Sequence, residues 1–225
     1  MRRKRKKLER GTLITIERNN TIAAEQFRSI RSNINFASVD RRLRSIVVTS
    51  SSAGDGKTMT ATNLAIVFNQ EGKKVLLVDA DLRRPKVHHA FRLENHVGLS
   101  NYLIGQKALE DIIMRTYRPD LDLITSGIIP PNPAELLGSR QMSIFISQVM
   151  NLYDVVILDT PPVLVVTDST LIANQCDGTL LVVRAKKNEV KDVKKAKEQL
   201  SFAGANLIGA VFNGKKQLKK NLYYY

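Results

Sequence analysis

Short continuous runs of Val, Ile and Leu recur along the chain, separated by stretches with helical spacing. They predict strands at Ser45–Ser50, Lys74–Asp79, Leu121–Thr125, Asp154–Asp159, Gly178–Arg184 and Leu207–Asn213. Runs without polar alternation mark strands covered on both faces. Between them lie helical stretches, among them Met59 to Gln70 and, after the turn signal Pro130-Pro131-Asn132-Pro133, Ala134 to about Leu152. Upstream, Thr21 is a plausible N-cap for a helix whose apolar positions Ala23, Phe27, Ile30 and Ile34 recur every three or four residues, with Glu25, Arg28 and Arg31 off that stripe. The alternation predicts an α/β fold: a doubly wound, mainly parallel sheet that binds ligands at the carboxyl ends of its strands. Residues 1–20 lack periodicity and are expected to form a basic arm, 21–213 the domain, and 214–225 a tail.

The first strand runs into Ser51-Ser52-Ala53-Gly54-Asp55-Gly56-Lys57-Thr58, followed by a helix. A loop of this kind between strand and helix is a phosphate cradle: backbone N–H groups and the helix N-terminus face the phosphates, a Lys reaches the β/γ oxygens, and a hydroxyl meets Mg²⁺. Residues 52–59, that is Ser52, Ala53, Gly54, Asp55, Gly56, Lys57, Thr58 and Met59, form the candidate nucleotide loop, and ATP or GTP the candidate ligand. Ser51 stands where a Gly is usual, but Gly54 and Gly56 keep the tight turns.

Composition narrows the picture. The 225 residues, 43% apolar and 25% charged, suit one domain with a soluble surface. One cysteine, Cys176, excludes an internal disulfide, and three histidines without a cluster disfavour a transition-metal site. No apolar run approaches the roughly 18 residues needed to cross a bilayer, and no signal region follows the basic start, so the expected location is cytoplasmic. The net charge of +14 is concentrated in Arg2–Lys7, Lys186–Lys197 and Lys215–Lys220. Such runs suit solvated arms or attraction to the anionic inner face of a membrane. Nucleic acid is disfavoured, because no aromatic-interleaved basic motif or base-reading helix is present.

Three carboxylates end predicted strands: Asp79 and Asp81 after Val75–Val78, and Asp159 after Val155–Leu158. Beside a P-loop, such groups can hold Mg²⁺ or accept the proton of an attacking hydroxyl. Asp79-Ala80-Asp81-Leu82-Arg83-Arg84-Pro85 and Leu158-Asp159-Thr160-Pro161-Pro162 resemble the second and third nucleotide motifs of the bacterial tyrosine kinases, relatives of the partitioning and cell-division-site ATPases. Glu25–Ile34, Gly98–Leu103 and Pro130–Leu137 fit the same family, and the resemblance spans about residues 21–213. It implies ATP and Mg²⁺ as cofactors. In its terms Lys57 neutralises β/γ charge, Thr58 and Asp81 hold Mg²⁺, Asp159 supports its water shell and Asp79 is the base, although the order of Asp79 and Asp81 stays open. Asn213 resembles the residue that reads the adenine edge, or else simply turns the chain into its tail. Ser52 replaces the extra lysine with which the partitioning ATPases reach across a nucleotide sandwich dimer, so that switching device is missing.

The resemblance is to the separate-chain type of kinase, activated by the cytoplasmic tail of a membrane adaptor in capsular or exopolysaccharide export and peripheral at the membrane. It implies a homo-oligomeric ring paired through Glu25, Arg28 and Arg31, which on spacing alone would be an exposed helix face. It also assigns the acceptor role to Tyr223, Tyr224 and Tyr225, phosphorylated in trans, with a phosphatase and other protein substrates as further partners. A tail of about ten residues reaches at most roughly 33 Å. Two rivals stand beside the kinase: a partitioning-type ATPase switch and a catalytically idle scaffold of the export complex.

Overall fold

The computed structural model describes residues 13–17, 21–37 and 43–214. Seven strands form one sheet: β1 Ser45–Ser50, β2 Val75–Asp79, β3 Met114–Arg115, β4 Leu121–Ile124, β5 Val155–Asp159, β6 Gly178–Arg184 and β7 Leu207–Asn213. Their order is β3-β4-β2-β5-β1-β6-β7. All pairings are parallel except that of β3 with β4. Every residue of β1, β2 and β5 is buried, the outcome expected of continuous apolar runs.

Period-two alternation divides these apolar residues between two cores. On one face Ile46, Val48, Leu77, Ile157 and Val182 pack with Phe27 and Ile34 of helix α2 (Ile22–Ala37) and Leu64 and Phe68 of α3 (Lys57–Gln70). On the other, Val47, Leu76, Val78, Val156 and Leu158 pack with Leu99, Leu137, Phe145 and Leu200. Those four side chains belong in turn to α5 (Leu99–Leu103), α7 (Pro133–Leu137), α8 (Arg140–Leu152) and α10 (Val190–Phe202). Shorter helices complete the layers: α1 (Ile14–Glu17), α4 (Val87–Phe91), α6 (Leu109–Ile112) and α9 (Asp168–Ala173).

The structure departs from or adds to the sequence reading at four points. The single helix from Ala134 to Leu152 is two, because Ser139 starts a new one by accepting the Met142 N–H on its hydroxyl at 3.3 Å. In α2 it is Ala24, not Ala23, that is buried with Phe27 and Ile34; Thr21 does cap it, accepting the Ala24 N–H at 3.3 Å. The two-residue antiparallel strand β3 was too short to leave a pattern. Finally, residues before 21 also pack on this fold: Leu13 is buried, and the backbone N–H and hydroxyl of Thr15 both donate to Asn63 Oδ1, at 2.9 and 3.0 Å. One helical turn is too little sequence to show periodicity.

Candidate active site

The P-loop connects β1 to α3, and the sheet order puts its neighbours beside it: β5 is adjacent to β1, and β2 to β5. Register then brings the carboxylates together. Asp79 lies directly opposite Asp159, and Asp159 opposite Val48 of β1. Gly54 and Gly56 have φ of +77° and +101°, which an L side chain rarely adopts, and a Cβ on Gly56 would lie 1.9 Å from Asn213 Nδ2. Gly56 is also the N-cap of α3, so Lys57 opens a helix whose first N–H groups are directed at the cradle.

Lys57 is buried, with Asp159, Asp81 and Asp55 around it. Burial lowers its pKa, an effect opposed by Asp159, Asp81 and Asp55 in that order and reinforced by Lys86. Asp79 is wholly buried; its Oδ2 accepts the N–H groups of Lys86 and Val87 at 3.0 and 2.9 Å, and its Oδ1 that of Asp81 at 3.3 Å. Burial, then the neighbouring charge of Asp159, holds its carboxyl well above the usual range despite those donors. Asp159 is raised as well, chiefly by burial, with the Thr58 hydroxyl and Lys57 opposing. Its Oδ1 is buried without a hydrogen-bond partner. Asp81 is half-buried, and its Oδ1 accepts the N–H groups of Arg83 and Arg84 at 3.3 and 3.0 Å.

An unsatisfied buried carboxylate oxygen next to a threonine hydroxyl and a second carboxylate is a set of hard oxygen donors. It fits Mg²⁺, which takes one or two carboxylates and completes its shell with water and substrate phosphate. Thr58, Asp81 and Asp159 are therefore the residues that could hold it.

A scan against protein families matches residues 43–202 to the AAA domain family. Across its full length the chain is 46% identical to the tyrosine-protein kinase YwqD of Bacillus subtilis, covering 95% of that protein. It is 37% identical to the putative tyrosine-protein kinase CapB of Staphylococcus aureus, over 98% of this chain and 97% of that one. The chain belongs to the bacterial tyrosine-protein kinases. Among solved structures, the chimerical protein CapA2B2 superposes with a TM-score of 0.88 at 42% identity, covering 92% of this chain and 91% of that one. The kinase domain of Escherichia coli ETK gives 0.88 at 35%, covering 95% and 84%. The septum site-determining protein MinD of Pyrococcus horikoshii, complexed with Mg-ADP, shares the fold at 23% identity and a TM-score of 0.66, with 77% and 72% covered.

Other residues of this kinase were placed as follows. Asn213 ends β7, and its Nδ2 donates to the Asp55 carbonyl at 2.8 Å, so its amide touches the P-loop backbone. Glu25 and Arg28 pair with each other at 2.7 Å on the outside of α2. Arg31 turns inward, donating to Val67 O at 2.8 Å and lying 3.5 Å from Glu71, so it ties α2 to α3 within one chain. Tyr223, Tyr224 and Tyr225 lie outside the described residues. No helix among the described residues is long and apolar enough to cross a membrane.

Sequence reasoning missed two sets of residues. Arg83 makes a bidentate pair with the wholly buried Asp168, at 2.8 and 3.1 Å, fastening the Asp81 loop to α9. Arg184, Lys187 and Asn188, in and after β6, all reach the P-loop or its Asp55. The adjacent Asp and Arg types in Asp81–Arg84 carried a hint of the first. Nothing local signalled the second, because the partners are about 130 residues apart.

Proposed function

We propose that this kinase transfers the γ-phosphoryl group of ATP to Tyr223, Tyr224 and Tyr225 of a neighbouring copy, and so regulates the synthesis and export of a capsular or extracellular polysaccharide. The observation that carries the chemistry is the convergence of Lys57 with Asp79, Asp81 and Asp159 at the ends of three adjacent strands. Support for the setting comes from the relative named CapB and from the superposition on the chimerical protein CapA2B2.

The transition state is loose and anionic, so positioning and charge compensation carry most of the catalysis. Lys57 supplies a buried cation at the β/γ oxygens, and the N–H groups of the loop hold the remaining phosphate charge. Mg²⁺, when bound by Thr58, Asp81 and Asp159, supplies further neutralisation of the phosphates. A tyrosine hydroxyl, with pKa near 10, needs an acceptor for its proton. Asp79, directly opposite Asp159 at the end of β2, is the carboxylate proposed to take it, with Asp81 two residues on as the alternative. Phosphate on the tail, about −1.5 to −2 charges per tyrosine, then disfavours its return to an anionic site and loosens the oligomer.

Incubation with labelled ATP and phosphotyrosine detection, with and without an adaptor tail, tests the reading. A Lys57→Met chain with its tyrosines intact, mixed with an active chain whose three tail tyrosines are Phe, should become labelled. Absence of that label, in mixtures where wild type labels itself, rejects transfer in trans. Absence of any phosphotyrosine in wild type rejects autophosphorylation and leaves the ATPase-switch and scaffold readings.

A further inference from the structure

Three successive carbonyls of the P-loop each receive a side chain from the β6–β7 side of the sheet. Lys187 Nζ donates to Ala53 O, Arg184 Nη1 to Gly54 O at 2.7 Å, and Asn213 Nδ2 to Asp55 O at 2.8 Å. In an anion-binding nest the peptide N–H groups converge on the ligand, which forces the carbonyls of the same peptides to the opposite side. There they need donors, and here each has one.

The same segment resolves a second oddity. Asp55 places a wholly buried carboxylate inside a loop built to attract phosphate, beside Lys57. Its Oδ1 accepts from Lys187 Nζ at 2.8 Å, and its Oδ2 from Asn188 Nδ2 and the Ser52 N–H, both at 3.0 Å. Unpaired, such a charge would be costly and would repel the phosphates. Ser52 supplies its backbone N–H to Asp55.

We propose that Arg184, Lys187 and Asn213 are positioning residues that clamp the P-loop in its phosphate-binding shape, with the Lys187–Asp55 ion pair as the charged link of the clamp. The segment 184–188 is thereby part of the nucleotide site without touching the reacting atoms. The inference rests on the P-loop being the nucleotide site. It adds that the shape exists before nucleotide arrives and is set from β6 and β7. Lys187 makes the cradle less anionic by neutralising Asp55, while Lys57 stays available to the β/γ oxygens.

The test compares Lys187 variants with and without Asp55→Asn, and Asp55→Asn alone, in the full chain, read by titration with a fluorescent ATP analogue and by hydrogen exchange of the amides of residues 53–58 without nucleotide. Lys187→Met should weaken binding about tenfold, because it leaves a buried carboxylate unpaired. Lys187→Met combined with Asp55→Asn should recover most of that loss, and Lys187→Arg should retain near-wild-type affinity. Exchange at 53–58 should quicken in Lys187→Met and slow again in the double variant, with circular dichroism unchanged throughout. Wild-type affinity in Lys187→Met, or a double variant no better than the single one, overturns the clamp. If wild type binds no analogue, it is the nucleotide reading that falls. The clamp is then judged by exchange alone, and equal rates in wild type and Lys187→Met overturn it.

Discussion

The centre of the sheet and its β7 edge contribute to one site in opposite ways. In β1, β2 and β5 every residue is buried, and β2 and β5 end on Asp79 and Asp159, the carboxylates to which the proposed mechanism gives roles. In β7 only Val211 is buried, and Phe212 is 68% exposed, yet Asn213 at its end reaches the P-loop. On the proposed reading the centre supplies reacting and charge-compensating groups from a fixed floor, while Asn213 at the edge donates to the back of the loop. A residue can thus touch the site's loop from a strand that is scarcely part of the core.

The sharpest way to break the comparison is at the centre. Lys57→Met should lower phosphotransfer about 10³-fold, since the charge developing at the phosphate oxygens loses its buried cation. A steady-state kinase assay checks this, and normal tyrosine labelling would show that the centre is misassigned. Gly56→Ala probes the meeting point of centre and edge. The alanine would be strained at φ +101° and its Cβ would sit 1.9 Å from Asn213 Nδ2, so we expect about 1–3 kcal/mol of destabilisation, together with loss of nucleotide binding. Chemical denaturation and analogue titration measure the two effects, and the Asn213→Ala background should relieve the clash but not the backbone strain.

The same division explains what the sequence disclosed. Continuous apolar runs located β1, β2, β4, β5, β6 and β7 to within a residue at each end, because a buried parallel strand needs little beyond length and hydrophobicity. Asp79 and Asp159 were legible as residues that end such strands and Asp81 as one just beyond, and the cradle was legible because its glycines, Lys57 and Thr58 fall within five consecutive residues. Arg184, Lys187 and Asn188 were not, since a lysine-rich segment on an exposed helix-bound loop looks the same whether it faces water or Asp55. Arg31 shows the converse. Its spacing with Glu25 and Arg28 suggested a common outer face, but its long side chain folds back onto Val67 O, a contact no local pattern encodes.

The next smaller effect concerns the loop that follows β2. Asp168 has both oxygens held by Arg83, and truncating that partner leaves a buried carboxylate with one side of its solvation missing. Because the arginine side chain is 40% exposed, water can partly replace it, and Arg83→Ala should cost about 1–2 kcal/mol of unfolding free energy. Asp81 lies two residues away in the same turn, so the KM for ATP should rise as well. Arg83→Lys, which keeps the charge but not the two-point contact, should recover stability more than it recovers KM. A variant as stable as wild type with unchanged KM would make the pair incidental.

The smallest stability effects belong to the outer face of α2, where the three residues that spacing grouped together should separate. Arg31→Ala loses a hydrogen bond to the Val67 carbonyl and the approach to Glu71, a part-buried connection between α2 and α3, and should cost about 1 kcal/mol. Glu25 and Arg28 are one helical turn apart, and a pair of that kind contributes about 0.2–0.5 kcal/mol, screened by salt. Replacing both by Ala should therefore leave the thermal midpoint almost unmoved. Their value for assembly is separable from their value for folding: if they pair subunits, Glu25→Ala with Arg28→Ala should shift the chain toward monomer in light scattering and weaken phosphorylation in trans, while Arg31→Ala loosens the fold first. An oligomer unchanged by the double substitution removes Glu25 and Arg28 from the interface. Monomerisation by Arg31→Ala alone, without loss of stability, would mean that its inward contact to α3 gives way to a partner in the assembly.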